Sequence, residues 1–236
     1  MNAFLIRKKS GSKGCKMDQQ IVEKAAIMIV DDHPIVSNGI QQLIDREPDM
    51  KVIQSVQDAE SAIKYVEKVS PDLMIVDISL KGSTNGIDLI KSLKKRYPKI
   101  KSLVLSMHEE NLYAERAIKA GAKGYIMKND LTDNIVKAIR IILSGNLYLS
   151  DSITSKLINN IVNEDKNDEL EIKKLSDREL EVFQLISKGI KTSDIAKEMN
   201  ISVKTVEAHK LSIKTKLNLK NSNELNKYAI EWKHKN

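Results

Sequence analysis

Two aspartates, Asp31 and Asp32, stand side by side directly after the apolar run AIMIV, residues 26–30. An acid pair in that place is either a turn or helix-cap signal, the common use of Asp after a strand, or part of a site that needs two negative charges at one point. Three more polar residues occupy comparable places: Asp77 closes DLMIV, Ser106 closes KSLVL and Lys128 closes GYIM. Taken singly, these are a turn residue, a cap and a solvated lysine. Taken together they are carboxylates, a hydroxyl and an ammonium, a set able to hold a charged ligand if the chain gathers the ends of the runs.

That gathering depends on the elements between about Ala26 and Ser144. Short apolar runs (AIMIV, KVIQS, DLMIV, KSLVL, GYIM) are each followed by a helical pattern such as NGIDLIKSLKKRY or NIVKAIRIILSG. Five strand-then-helix repeats predict an α/β domain, a doubly wound five-stranded parallel sheet with helices on both faces. Ligands of such sheets sit in the crevice beyond the carboxyl ends of the strands. All five polar residues lie at that edge, which favours one site over five coincident turns.

Length and charge divide the chain. At 236 residues, two compact units are expected. Counted as Lys and Arg against Asp and Glu, residues 1–24 carry +4, residues 25–171 carry −3 and residues 172–236 carry +6. A compact basic end is the electrostatic footprint of contact with phosphate backbones, although basic solvated faces are also common. The single cysteine, Cys15, excludes an intrachain disulfide. No apolar run approaches the roughly 18 residues of a membrane helix, and FLIRKK is too short for a signal peptide. A cytoplasmic protein with no membrane partner is expected.

The units expected are a disordered extension at 1–24, with Met17 as an alternative start; a first domain at 25–148; a linker at 149–171; and a second domain at 172–236. Within the linker, DSITSKLINNIV predicts a short helix and NEDKNDELEIKK a solvated charged run. The second domain opens sharply. Ser176 with Glu179, and Asn221 with Glu224, have capping-box spacing. Between them ISKGIKTSDIAKEMNISVKTVEAHK predicts a helix, a turn ending near Ser202, and a longer helix, which is a helix-turn-helix. On the longer helix Val206, Ile213 and Leu217 recur at core spacing, while Lys204, Thr205, Glu207, Ala208, Lys210, Leu211 and Lys214 belong to the other side. His209 has no His or Cys partner at ligand spacing and is read as a packing or phosphate-contacting residue.

The stretches IMIVDDHPIV, PDLMIVDISLKGSTNGIDLI, LVLSMHEENLYAERAIKAGAKGYIMK and LSDRELEVFQLISKGIKTSDIAKEMNISVKTVEAHKLSIKTKLNL together resemble the NarL/FixJ group of two-component response regulators. The resemblance runs over roughly residues 26–232. It implies a CheY-like receiver joined to a LuxR-type helix-turn-helix, a regulator that is not an enzyme. It makes Asp77 the acceptor of a phosphoryl group from a sensor histidine kinase. Asp31, Asp32, Asp77 and the carbonyl of Ser79 become the seat of Mg²⁺, Lys128 the cation that meets the phosphoryl group, Ser106 the switch hydroxyl and Tyr125 the switch aromatic, moving inward when Ser106 is drawn away. The chemistry is consistent: carboxylates crowded against a phosphoanion need a hard divalent cation and an ammonium to offset them.

The resemblance also implies double-stranded promoter DNA and a homodimer formed on phosphorylation as partners. In the major groove, Lys204, Lys210 and Lys214 would neutralise phosphates, with Glu207, Ala208 and Leu211 where base edges are read. Some residues depart from the group. Lys81 stands where many receivers have proline, so a looser loop is expected; Ser222 stands where relatives often have arginine. Ser79 and His108 occupy positions that in the group tune phosphate lifetime. Two other classes fit the residues less well. A phosphohydrolase with Asp77 as nucleophile would want a carboxylate two residues on, where Ser79 stands. A receiver working only through protein contacts would not need the basic end.

Overall fold

The computed structural model describes residues 24–82, 84–107, 110–162 and 172–235. The first domain runs β1 (Ala25–Val30), α1 (Pro34–Asp45), β2 (Met50–Val56), α2 (Ala59–Val66), β3 (Leu73–Asp77), α3 (Gly86–Arg96), β4 (Lys101–Ser106), α4 (Glu110–Ala120), β5 (Gly124–Met127) and α5 (Leu131–Leu143). The strands form one parallel sheet in the order β2-β1-β3-β4-β5. Strand residues alternate between two cores. Ile27, Ile29, Leu73, Ile75, Leu103 and Leu105 face the side that includes Ile40, Ile44, Ile135 and Ile139 from α1 and α5. Met28, Val30, Met74, Val76 and Val104 face the side of α2, α3 and α4. Every residue of β3 is buried, as expected of a central parallel strand covered on both faces. Each such aliphatic side chain is worth about 1.5–3 kcal/mol of burial.

The sheet order reverses between β1 and β3, and the register there sets Val30 opposite Val76. The next residues, Asp31 and Asp77, therefore emerge side by side at the switch point where open α/β sheets bind ligands. Helix α3 starts close behind. Asn85, fully buried, caps it by accepting from the Asp88 N–H at 2.8 Å. At Gly86 a Cβ would fall 2.0 Å from the Asp77 carbonyl oxygen, so only glycine lets α3 come this near the strand end.

The edge of the sheet is closed by the chain after α5. Tyr148 donates its N–H to Lys123 and accepts from the Tyr125 N–H, at 2.9 and 3.1 Å. Helix α6 (Asp151–Val162) follows, with Ile153 buried and the Ser150 hydroxyl donating to Glu110 at 2.8 Å, which holds the start of the linker against α4. The expected extension, apart from Lys24, and residues 163–171 of the charged run lie outside the described residues.

The C-terminal part is helical: α7 (Asp177–Ser187), α8 (Thr192–Glu198), α9 (Val203–Lys216) and α10 (Ser222–Lys235). The capping box at Ser176 and Glu179 is complete, with Glu179 accepting from the Ser176 N–H at 2.6 Å and Ser176 from the Glu179 N–H at 3.3 Å. The one expected at Asn221 forms by half. Asn221 accepts from the Glu224 N–H at 2.9 Å, but Glu224 takes the N–H of Lys220 and the Asn221 amide group instead of the Asn221 N–H. Gly189, at φ 76°, ends α7, and Asn200, at φ 50°, makes the turn between α8 and α9, both residue types that tolerate the left-handed region. Phe183, Leu180, Val206, Ile213, Leu217 and Leu225 close the small core, with Trp232 edge-on to Phe183 at 5.4 Å.

Candidate functional site

The five strand-end residues come together. Lys128, on the turn after β5, is 7% exposed and reaches back across the sheet edge, its Nζ 2.7 Å from Asp77 Oδ2 and 2.8 Å from Asp31 Oδ2. Asp31, Asp32 and Asp77 are buried, and ligand atoms of these three and His33 all lie within 4.8 Å of one another. Asp31 Oδ1 accepts the His33 N–H at 2.8 Å, and the Ser79 N–H donates to Asp77 Oδ1 at 3.3 Å. Ser106, at the end of β4, is fully buried and hydrogen-bonded to the Tyr125 side chain.

Titration follows from this crowding. Burial pushes the Asp77 carboxyl up, against the pull of Lys128, and Asp31 adds to the rise. Burial alone would lower Lys128, yet the carboxylates of Asp77 and Asp31 hold it above the ordinary lysine range. Burial raises the Tyr125 hydroxyl, with Ser106 opposing. Asp31 Oδ2 and Asp32 Oδ1 are buried without hydrogen bonds. His33 Nδ1 approaches Asp32 Oδ1, and Lys128 Nζ approaches Asp31 Oδ2, each to 2.8 Å. Oxygen atoms left so, in a cluster of three carboxylates beside one imidazole, fit a hard divalent cation such as Mg²⁺.

Two contacts here were not legible. His33 lies 2.8 Å from Asp32 although its side chain is 60% exposed. Lys81, expected to loosen its loop, places Nζ 3.3 Å from Asp32 Oδ2 and helps tie the loop down. Tyr125 also differs from expectation. It is 2% exposed and already inside in this state, bonded to Ser106. His108 lies outside the described residues.

The second candidate surface is α9. Ser202 caps it by accepting from the Thr205 N–H at 3.0 Å. Val206 and Ile213 point into the core, whereas Lys204, Thr205, Glu207, Ala208 and Leu211 are exposed and Lys214 is half-buried. Lys210 is half-buried too, its Nζ donating to Glu207 at 2.9 Å and Thr192 at 3.0 Å. It and Glu207 thus satisfy each other before any partner arrives, and Lys210 holds the Glu207 carboxyl below its usual range. Val203, 51% exposed on the same helix, was not singled out by sequence because an apolar residue at a helix start reads as core.

The profile of the response regulator receiver domain matches residues 27–140, and that of the bacterial regulatory proteins of the luxR family matches residues 173–229. The oxygen regulatory protein NreC of Staphylococcus epidermidis is 38% identical over 212 residues, 88% of this chain and 97% of that protein. The chain is a response regulator of the NarL/FixJ type. Among solved structures, the regulator is similar to RcsB of Salmonella typhimurium, with a TM-score of 0.62 and 26% identity over 89% of this chain and 98% of that one. A second RcsB structure, bound to promoter DNA in the presence of the phosphomimetic BeF₃⁻, gives a TM-score of 0.58 and 27% identity over 88% of this chain and 98% of that one. The regulator is a transcription regulator, not an enzyme, and its acid cluster is of the kind receivers use for Mg²⁺. No helix among its described residues is long and apolar enough to cross a membrane.

In the regulator the two units touch through α7. Arg116 of α4 donates to the carbonyls of Leu175 and Ile172 and to Asp177, at 2.7, 3.0 and 3.1 Å. Lys91 of α3 reaches Asp177 at 2.9 Å, and the buried Tyr113 donates its hydroxyl to Gln184 at 2.9 Å. Asp177, Arg178, Glu179 and Glu181 are all buried, although charge at four of the first five positions of a helix gives no sequence signal of burial.

Proposed function

We propose that Asp77 accepts a phosphoryl group from a sensor histidine kinase in the cytoplasm, and that the phosphorylated chain binds double-stranded promoter DNA as a homodimer through α9. The observation that carries this is the juxtaposition of Asp77 with Lys128 at 2.7 Å inside a cluster of buried carboxylates. Asp77 supplies the attacking oxygen. Lys128 offsets charge on the transferring group, and the Ser106 hydroxyl, now bonded to Tyr125, is the donor positioned to exchange that partner for the phosphoryl oxygens. Asp32, Asp77 and the Ser79 carbonyl would hold Mg²⁺, with Asp31 at one remove; when bound it supplies the positive charge that lets a phosphoanion approach three carboxylates.

On the other unit, Lys204, Lys210 and Lys214 are assigned to phosphates and Thr205, Glu207, Ala208 and Leu211 to the groove. RcsB bound to promoter DNA supports that assignment, as does a structure of two RcsB dimers on two DNAs. Domain limits of 25–148 and 172–236, joined by 149–171, are consistent with the closure of the sheet at Tyr148 and the cap at Ser176. Labelling with radioactive acetyl phosphate and Mg²⁺ tests the acceptor: Asp77→Asn should abolish acid-labile incorporation, and undiminished labelling would reject the assignment.

A further inference from the structure

Helix α7 belongs to the DNA-binding unit, yet two of its side chains end at the acceptor loop of the receiver. Arg178 donates to the carbonyls of Leu80 and Gly82 at 3.0 and 2.6 Å, and to Glu181 at 2.8 Å. Glu181 in turn hydrogen-bonds the Ser79 side chain, and its charge and that of Asp77 act on each other. Arg178 and Glu181 are 8% and 6% exposed. With the Ser79 N–H on Asp77, a continuous path of polar contacts runs from the acceptor carboxylate into the other unit without passing through Ser106 or Tyr125.

We propose that Glu181 is a positioning residue of the phosphorylation site carried by the DNA-binding unit: docked, it fixes Ser79 and holds a negative charge beside Asp77, so that docking of α7 and phosphorylation oppose one another. The inference rests on Asp77 being the acceptor. With acetyl phosphate, a carboxylate oxygen of Asp77 bonds to phosphorus, the phosphorus–oxygen bond to the acetyl group breaks, and acetate leaves with the electron pair. Asp77 passes from one negative charge to an acyl phosphate with two. In a place so shielded from water, the added charge repels Glu181 far more strongly than it would at the surface. Linkage makes the effect reciprocal at equilibrium: whatever docking costs the phosphorylated form, phosphorylation costs docking.

The test uses the full chain as wild type, Glu181→Gln and Glu181→Asp. Labelling rates with acetyl phosphate are measured at saturating Mg²⁺, and hydrogen exchange of residues 177–187 in the wild type is followed with and without Mg²⁺ and beryllofluoride. Glu181→Gln keeps the shape and loses the charge, and should label about 5- to 10-fold faster, the effect of removing a nearby like charge from the barrier. Glu181→Asp keeps the charge and should stay near the wild-type rate. Beryllofluoride with Mg²⁺ should speed exchange across α7. Equal rates in all three proteins, equally raised rates in both variants, or α7 exchange indifferent to beryllofluoride would overturn the proposal. Asp77→Asn run alongside separates the two readings: label surviving there removes the acceptor itself, whereas label confined to Asp77 without a Glu181 effect removes only this inference.

Discussion

Asp31 and Asp32 are adjacent but differently engaged. Asp31 is tied to protein partners, the His33 N–H at 2.8 Å on one oxygen and Lys128 at 2.8 Å on the other. Among the described residues, Asp32 meets the side chains of His33 and Lys81, both more than half exposed, and these can move aside. Asp32 should therefore carry the direct metal contact. By calorimetric titration, Asp32→Ala is expected to weaken Mg²⁺ binding about tenfold more than Asp31→Ala does, on the usual scale of direct against outer ligands. The reverse order would exchange the two roles. At this scale the sequence is legible where a polar residue ends an apolar run, as at Asp31, Asp77 and Lys128. It is silent on Glu181 and Arg178, because no local period marks a charge that will be buried by a partner about a hundred residues away.

Among the elements, the five strands are legible because aliphatic runs bounded by polar residues have few other uses. Helix α7 is not: its charged residues look solvated, and its burial comes from helices packed on one side and a receiver on the other. Glu179 holds its N-terminus together, accepting from Lys216 and Ser212, both at 2.6 Å, as well as from the Ser176 N–H. Burial works against it, but these bonds bring its carboxyl down to about 2. The folded value lies below the ordinary 4.5, so the stabilisation is fully present above that pH and fades as pH falls from 4.5 towards 2. Glu179→Gln should cost about 2 kcal/mol near neutrality. Trp232, the single tryptophan, lies in this unit and reports its thermal unfolding. The gap between variant and wild-type melting temperatures should narrow as pH drops below about 4.5. Parallel curves across that range would mean that Glu179 does not carry the effect.

For the whole molecule, the charge split along the chain announces two units with different partners, and composition carries that information without any knowledge of packing. How the units meet is another matter. Lys91 and Arg116 find Asp177 across 86 and 61 residues, and only the folded receiver brings the two cations together. Lys204, Thr205, Glu207, Ala208 and Leu211 are open to solvent while α7 is docked. Docking of α7 therefore leaves α9 uncovered. Single helix-turn-helix modules bind weakly and gain affinity as pairs on two half-sites, so the proposed pairing of two copies is the step on which phosphorylation would act.

The central claim is that phosphorylation of Asp77 governs DNA binding. It is tested most directly by the affinity of the full chain for a duplex selected from random sequences, measured with and without Mg²⁺ and beryllofluoride, with Asp77→Asn in parallel. The account predicts that the wild type gains at least about tenfold and binds as a dimer, with an affinity that falls steeply as salt rises, while Asp77→Asn gains nothing. Equal affinity in both states of the wild type, or the same gain in Asp77→Asn, would contradict it.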